Sequence, residues 1–171
     1  MSEVSEIGEA DWSVWRAFQA MRRELDRAVE QRLHADAGIS GPDFEILLSL
    51  FRAADNQLRA RDLGELLGWE KSRVSHQVTR MVARGLLERR ECPTDLRGTW
   101  VVLLPEGRRA VLRASRGNAT ELRRLFFDVL TPAEKATLNE LSERIVDIAN
   151  PASCARADEI LNGEQEQQTA S

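Results

Sequence analysis

One stretch of this chain, from Leu58 to Gly107, limits most strongly how the chain can fold. Its hydrophobic periodicity and turn residues predict a short helix, a turn, a second helix, a strand, a tight turn and a second strand. A helix-turn-helix followed by a β-hairpin wing is one way in which a compact domain can read duplex DNA. We therefore predict a mostly α fold with a small β-hairpin wing, and we assign residues 40–105 to this winged helix-turn-helix domain.

The second helix of the motif, predicted over Glu70 to Arg84, has two different faces. At about 100° per residue, its apolar residues fall on one side, which should pack on the domain. These residues are Val74, Val78, Met81 and Val82. The opposite side carries Ser72, Arg73, His76, Thr79 and Arg80, with Ser75 at its edge. Hydroxyls, His and Arg suit a major groove, but an ordinary solvated helix face has the same pattern, so the following segment must decide.

The segment after this helix is typical of a hairpin. Leu86–Glu91 and Thr99–Leu103 have strand character, and Pro93–Gly98 between them is predicted to be a turn by its Pro, Asp and Gly. Arg97 would then stand at or near the tip, where an Arg can enter a narrow minor groove. A salt bridge from Arg97 to Asp95 that only shapes the turn is the alternative, and the two are compatible.

With these motifs the chain resembles the MarR family of winged-helix transcriptional regulators. The matching segments are Asp62-Leu63, Lys71-Ser72-Arg73-Val74-Ser75, Arg84-Gly85-Leu86-Leu87-Glu88-Arg89, Asp95-x-Arg97-Gly98 and Pro105-x-Gly107. The D-x-R-G sequence in the wing is the most specific of them, given its distance from the helix. The resemblance includes the flanking helices and spans about residues 10–150.

The resemblance implies where DNA would be bound. In the family the recognition helix lies in the major groove and the wing Arg in the minor groove, and here these roles fall to Ser72, Arg73, Ser75, His76, Arg80 and Arg97. Phosphate contacts are expected from Lys71, Arg73, Arg89 or Arg90. The full predicted DNA-binding set is Lys71, Ser72, Arg73, Ser75, His76, Thr79, Arg80, Arg89, Arg90, Asp95 and Arg97.

Two positions depart from the family pattern. Many members have Thr or Ser before the first helix of the motif, where this chain has Arg59, and many have Thr after the second wing strand, where it has Leu104. A side-chain cap typically contributes about 1 kcal/mol, so we expect both helices to begin without that contribution.

The charge is distributed unevenly along the chain. The formal net charge is −4, which looks unfavourable for a DNA-binding protein. However, residues 71–113 contain ten Lys and Arg against four acids, so this segment carries +6 and the rest −10. Phosphate binding depends on the local patch, and acidic surface elsewhere can limit nonspecific binding. No apolar run approaches the length needed to span a bilayer and the first residues do not resemble a signal peptide, so we predict a cytoplasmic protein.

Amphipathic helices are predicted on both sides of the domain, over residues 9–37 and 106–150. Either they pack on their own domain or, as the resemblance implies, they pair with a second subunit. We predict the second, with both segments as dimerisation helices of a homodimer that binds a palindromic operator of double-stranded DNA. Residues 151–171 are predicted to form a partly disordered tail.

Motifs of enzymes and cofactor sites are missing from the sequence. It has no phosphate-binding glycine loop, no paired-cysteine metal motif and no recognisable nucleophile motif, so we predict no enzyme, no cofactor and no metal site. His34 with Asp36 could form part of a metal site, but a lone His near a helix end is more often an ordinary surface residue. Cys92 could sense oxidants if it is exposed near Arg89 and Arg90, and otherwise it is a small strand residue.

Many MarR proteins bind small aromatic or phenolic ligands between the dimer helices and the DNA-reading domain. The resemblance therefore implies candidate ligand-binding residues: Trp15, Phe18, Arg22 and Phe44, with Arg22 attracting an anion. An aromatic stripe at helical spacing is more often part of a core.

These patterns predict a sequence-specific DNA-binding transcriptional regulator of MarR type, a homodimeric repressor that a small aromatic or anionic ligand releases. Two alternatives remain open from the sequence: a winged-helix protein-interaction module that does not bind DNA, and an oxidant-sensing regulator acting through Cys92.

Overall fold

The computed structural model describes residues 7–92, 95–150 and 160, and for residues 92 and 95–98 it describes the backbone alone. In chain order the elements are α1 (Glu9–Ala37), α2 (Gly41–Arg52), β1 (Gln57–Arg59), α3 (Ala60–Leu67), α4 (Lys71–Ala83), β2 (Leu87–Cys92), β3 (Asp95–Leu103), α5 (Pro105–Leu122) and α6 (Pro132–Ala149). A 3₁₀ turn precedes β1, and a π-helical turn (Arg123–Phe127) follows α5. The predicted mostly α fold with a wing is confirmed, whereas the predicted tail, apart from residue 160, lies outside the described residues.

The sheet has one strand more than the sequence analysis predicts. It is antiparallel with the order β1–β3–β2, and β1 pairs Leu58 with Val101. The strand is only three residues long, too short for an alternating pattern to be recognised. The Leu58 side chain is 1% exposed, so β1 ties the wing to the core of the domain.

The second wing strand begins earlier than predicted. Asp95–Gly98, predicted to be part of the turn, belong to β3. The pairing is irregular there, because Glu91 pairs with Thr99 while the next residue of β2, Cys92, pairs with Asp95. One step along β2 thus corresponds to four along β3, and residues with turn propensity occupy this bulged part of the strand.

The core of the domain lies where α2, α4 and α5 meet the sheet. Leu47 and Leu50 of α2 are fully buried, so α2 is a central element of this core. The first turns of α5, predicted as part of a dimerisation segment, also enter this core through Val111 and Ala114. Only the C-terminal part of α1 belongs to this core, and its Leu33 is fully buried. We call residues 33–122 and their shared core the reading head.

Two helix starts have side-chain caps and two lack them. Ser40 and Thr131 each accept a bond from the backbone N–H three residues on, and the acid at that position bonds back, completing a capping box at α2 and at α6. Arg59 and Leu104, in contrast, precede α3 and α5 without a side-chain cap bond, as expected from the departures at these positions.

The long helix α1 crosses α5 at Gly117. A Cβ atom at this position would stand 1.6 Å from Oδ2 of Asp36 and 2.7 Å from Nε of Arg32, so a larger residue would displace this ion pair. Helix α5 runs regularly through Gly117, and the helical irregularity lies later, in the π-helical turn. The close crossing fixes the C-terminal half of α1 on the reading head.

The outer helices leave apolar side chains in solvent. The N-terminal half of α1 exposes Trp12, Trp15, Phe18 and Met21, each at 41% or more. Helix α6 has no buried residue, and Ile145 and Ile148 are 64% and 80% exposed. An apolar groove of about 580 Å³ lies between them, lined by Met21 and Leu25 of α1, by the π-helical turn and by α6.

Candidate nucleic-acid interface

Helix α4 presents the predicted polar face to solvent. Val74, Val78 and Met81 are buried at 2% exposure or less, and they fix the rotation of the helix on the core. The predicted DNA-facing residues of this helix are all exposed, and they are Lys71, Ser72, Arg73, Ser75, His76, Thr79 and Arg80. Gly85 ends the helix at φ 69°, where Leu86 N–H bonds to the Met81 carbonyl, so the chain turns directly into the wing.

Arg73 lies flat on the turn of the helix-turn-helix. Its guanidinium carbon is 3.9 Å from the centre of the Trp69 ring. Trp69 is half-buried against the core, so this indole packs in the turn. A cation–π contact at an exposed site contributes about 0.5–1 kcal/mol, which restrains Arg73 while its N–H donors stay accessible at the edge of the stack.

Thr79 and Arg89 are bonded to each other. Arg89 Nη2 donates to Thr79 Oγ1 at 2.8 Å and to the Ser75 carbonyl at 2.9 Å. Thr79 Oγ1 itself donates to the Ser75 carbonyl at 2.8 Å, so its one hydrogen is already engaged. In this arrangement Arg89 joins β2 to α4, and both side chains remain exposed, so their predicted DNA contacts stay predictions.

Arg90 points away from that junction. Neighbouring residues of a strand face opposite sides, and Arg90 pairs with Glu88 on the same side of β2. Its side chain is 60% exposed, so it can reach a phosphate by exchanging one anionic partner for another.

Near the tip of the wing the structure describes the backbone but not the side chains. Asp95 and Arg97 belong to β3 by their backbone, but their side chains, like that of Cys92, lie outside the described residues. A minor-groove role for Arg97, its salt bridge to Asp95 and redox sensing by Cys92 stay predictions.

A buried carboxylate behind the recognition helix was not predicted from the sequence. Asp43 is 2% exposed, and its oxygens accept bonds from Ser40 N at 3.0 Å, Gln77 Nε2 at 2.6 Å and Arg84 Nη1 at 2.6 Å. The capping-box spacing from Ser40 places Asp43 in the first turn of α2. Nothing in the local sequence indicates that α4, 34 to 41 residues later, would supply the other donors.

The surroundings of Asp43 favour its ionised form. Burial raises the pKa of this carboxyl, but the bonds from the Ser40 backbone and from Arg84, with the Arg84 charge, outweigh burial and hold the pKa below its ordinary value. Glu45, two residues further along α2 and on its exposed side, shows the opposite direction, because burial raises its pKa more than the charge of Arg73 lowers it.

The structure does not bring the four candidate ligand residues into one pocket. Trp15 and Phe18 stack on each other at 5.7 Å on the exposed face of α1, and Arg22 is also exposed. Phe44 instead packs, half-buried, against the core of the reading head. None of the four lines the apolar groove of 580 Å³, so their ligand role stays a prediction.

Within the described part of the chain, no cluster of His, Cys, Asp and Glu could hold a metal ion. Asp36 is paired with Arg32 at 2.7 Å, which engages the carboxylate that the sequence analysis considered with His34. The helices described here also include none that is long and apolar enough to cross a membrane.

A helix-turn-helix whose second helix exposes Arg, Ser and His, followed at once by an antiparallel wing, defines the class of winged-helix proteins. Residues 37–98 match the sequence model of the MarR family. Over these residues, which include the winged-helix domain, the chain is similar to the MarR family of transcriptional regulators.

Solved structures agree with this assignment over most of the chain. A MarR family regulator of Streptomyces coelicolor, Sco3205, solved in complex with DNA, is 27% identical and superposes with a TM-score of 0.83 over 89% of this chain and 95% of its own. AbsC, a MarR family regulator from the same organism, is 28% identical, with a TM-score of 0.81 over 86% and 99%.

A third similar structure contains a small molecule. PcaV of Streptomyces coelicolor, solved in complex with its natural ligand, is 27% identical, with a TM-score of 0.63 over 76% of this chain and 92% of its own. No significant sequence match to a protein of curated function was found.

Proposed function

We propose that this protein is a homodimeric repressor that binds a palindromic DNA operator through α4 and the wing, acting by binding and not by catalysis. The observation that carries the proposal is the polar outer face of α4, which is exposed along its length while its inner face is anchored in the core. The similarity to Sco3205, which was solved on DNA, supports the same use of this face. Such a repressor works in the cytoplasm, where it meets the chromosome.

The positions of the side chains on α4 suggest different tasks. Ser72, His76 and Arg80 are exposed at spacings of four, so they follow one another along the helix and form the candidate base-reading row. Lys71 and Arg73 stand at the N-terminal end of α4, where N–H groups and positive charge favour phosphates. Because Arg89 is bonded to Thr79, we assign the reading of bases to the row of Ser72, His76 and Arg80.

The outer helices suit the role of a dimer interface. The exposed aromatic residues on α1 and the exposed isoleucines on α6 make apolar surface that a monomer would leave in water. A two-fold axis through these helices would place two copies of α4 on successive turns of the same side of DNA, with half-sites about 10 bp apart.

Control by a small ligand is part of the proposal. PcaV, at 27% identity, was solved with its natural ligand, which supports a ligand site in this chain as well. Trp15, Phe18, Arg22 and Phe44 are the candidate residues, and the apolar groove beside α6 offers a further apolar surface. A ligand bound at the outer helices would change the distance between the two copies of α4 and so release the operator.

Selection from random duplex DNA with the purified protein tests the proposal. We expect an enriched inverted repeat whose affinity falls steeply between 50 and 200 mM salt, as phosphate contacts require, by about a hundredfold or more. A protein-interaction module would enrich no sequence and show no salt-dependent binding, and that result would overturn the proposal. Monomeric protein that binds single half-sites would overturn the dimer alone.

A further inference from the structure

One arginine joins the end of the recognition helix to the junction of α1 and α2. Arg84, the C-cap residue of α4, donates from Nη1 to Asp43 Oδ2 at 2.6 Å and from Nη2 to the Gly38 carbonyl at 2.7 Å. Gly38 is the left-handed cap of α1, and its N–H bonds back to the His34 carbonyl. The fork of Arg84 therefore contacts the C-cap residue of α1 and the first turn of α2 at the same time.

A second residue of α4 reaches the same carboxylate. Gln77 Nε2 donates to Asp43 Oδ1 at 2.6 Å, seven residues before Arg84 and hence two turns along the same face of the helix. The backbones of Gln77 and Arg84 stand about 10 Å apart along the axis of α4, and their side chains converge on one carboxylate of α2. Two turns of α4 are thereby bonded to the same point, which constrains the tilt of the helix as well as its position. The buried valines fix the rotation of the helix about its axis, but apolar contacts are not directional and allow the helix to tilt.

This connection reaches the helix on which the subunits would meet. In the proposed dimer, α1 lies at the two-fold axis and α4 in the groove, so the geometry between them sets the distance between the two recognition helices. On this basis we propose that Asp43, Gln77 and Arg84 are positioning residues that set which spacing of half-sites the dimer accepts. The inference rests on the proposed function, and it assigns these residues no contact with DNA.

The spacing preference of the protein tests this inference. Operators are made with the selected half-sites at the preferred spacing and with one base pair added or removed, and affinities are measured for wild type and Arg84→Met. We expect wild type to favour its preferred spacing by about tenfold and Arg84→Met by about threefold or less. A ratio of affinities does not depend on the fraction of folded protein, so a purely structural role for Arg84 would leave it unchanged.

Two further variants guard against misfolding and surface-charge effects. Arg84→Lys keeps a cation beside Asp43 but loses the rigid two-pronged donor, so it should fold and give an intermediate ratio. Arg116→Met removes an exposed arginine of α5 outside this network and should keep the wild-type ratio.

The possible outcomes separate the inference from the function it rests on. Unchanged spacing preference in both Arg84 variants, even with weaker overall binding, would overturn the inference and leave the repressor intact. Wild-type protein that binds no DNA would overturn both.

Discussion

The reading head and the outer helices use the same amphipathic pattern with opposite results. In α2, apolar residues at helical spacing are fully buried, as Leu47 and Leu50 show. In α6, Leu138 to Ile148 repeat at the same spacing, yet no residue of the helix is buried. The pattern predicts that a helix has an apolar face, but it does not predict which surface covers that face. In the reading head the chain covers its own face, and at the outer helices we infer that a second copy does.

The largest expected effect is the truncation of a buried side chain in the reading head, compared with an exposed side chain of the same region. Leu47→Ala removes a fully buried side chain and should lower the free energy of unfolding by about 3 kcal/mol, through lost burial and the cavity that remains. Leu112→Ala, where the side chain is 41% exposed, should cost less than about 1 kcal/mol. Denaturant titration of both variants measures the contrast, and equal losses would contradict the assigned core.

A charge on α6 should break the dimer and spare the head. Ile145→Glu places a carboxylate in the proposed apolar interface and should weaken self-association by about a hundredfold, measured by sedimentation. Because α6 adds no residue to the core, the thermal unfolding of the head should persist. Ala136→Glu, at an exposed position on the opposite side of α6, is the control. A dimer that survives Ile145→Glu would place the interface elsewhere.

Sequence preference should depend on the outer face of α4 alone. Arg80→Ala should remove about 1–3 kcal/mol of discrimination at one base position if Arg80 reads a base. Lys71→Ala should weaken binding evenly across sequences and lower the salt slope by about one, as loss of a phosphate contact requires.

Arg97→Ala should also weaken binding and lower the salt slope. Unchanged affinity and slope for Arg97→Ala would exclude its minor-groove role.

The smallest expected effect concerns pH. The folded-state pKa of Asp43 lies below its ordinary value, so ionised Asp43 stabilises the folded state fully at pH values above about 4. This stabilisation is lost as the pH falls through the lower folded-state pKa. Loss of Arg84 removes its hydrogen bond and its charge, two of the causes that lower this pKa. Arg84→Met should therefore cost about 1–2 kcal/mol at pH 7, allowing for the partial exposure of Arg84, and the deficit should shrink towards pH 3. A deficit that is constant with pH, as expected for Arg116→Met, would argue against the pair.

Local sequence signals account for much of the fold. The capping box at Ser40, the two faces of α4 and the full length of α1 follow from spacing and cap residues, and the structure confirms them. The strand β1 was missed because three residues cannot show a period. In the wing, turn-forming residues occupy a bulged strand, so a local signal gave the wrong boundary at Asp95.

The contacts that refine the candidate site are long-range in sequence. Arg89 reaches Ser75 and Thr79 across the turn into the wing, and Arg84 reaches Asp43 across 41 residues. Such pairs depend on how elements pack, which spacing within one element does not reveal. The sequence could therefore predict which residues face outward on α4, but not that Thr79 is engaged by a neighbour.

The stacking of Arg73 on Trp69 also determines how the protein will appear in fluorescence. Two of its four tryptophans, Trp12 and Trp15, are exposed on α1, and the other two each lie under an arginine of the reading head, Trp69 under Arg73 and Trp100 under Arg59. The chain contains no tyrosine, so the emission excited near 295 nm and just below it comes from these four indoles. We expect the α1 pair to respond when subunits associate and the pair in the head when DNA is bound, which gives unlabelled protein two internal optical probes.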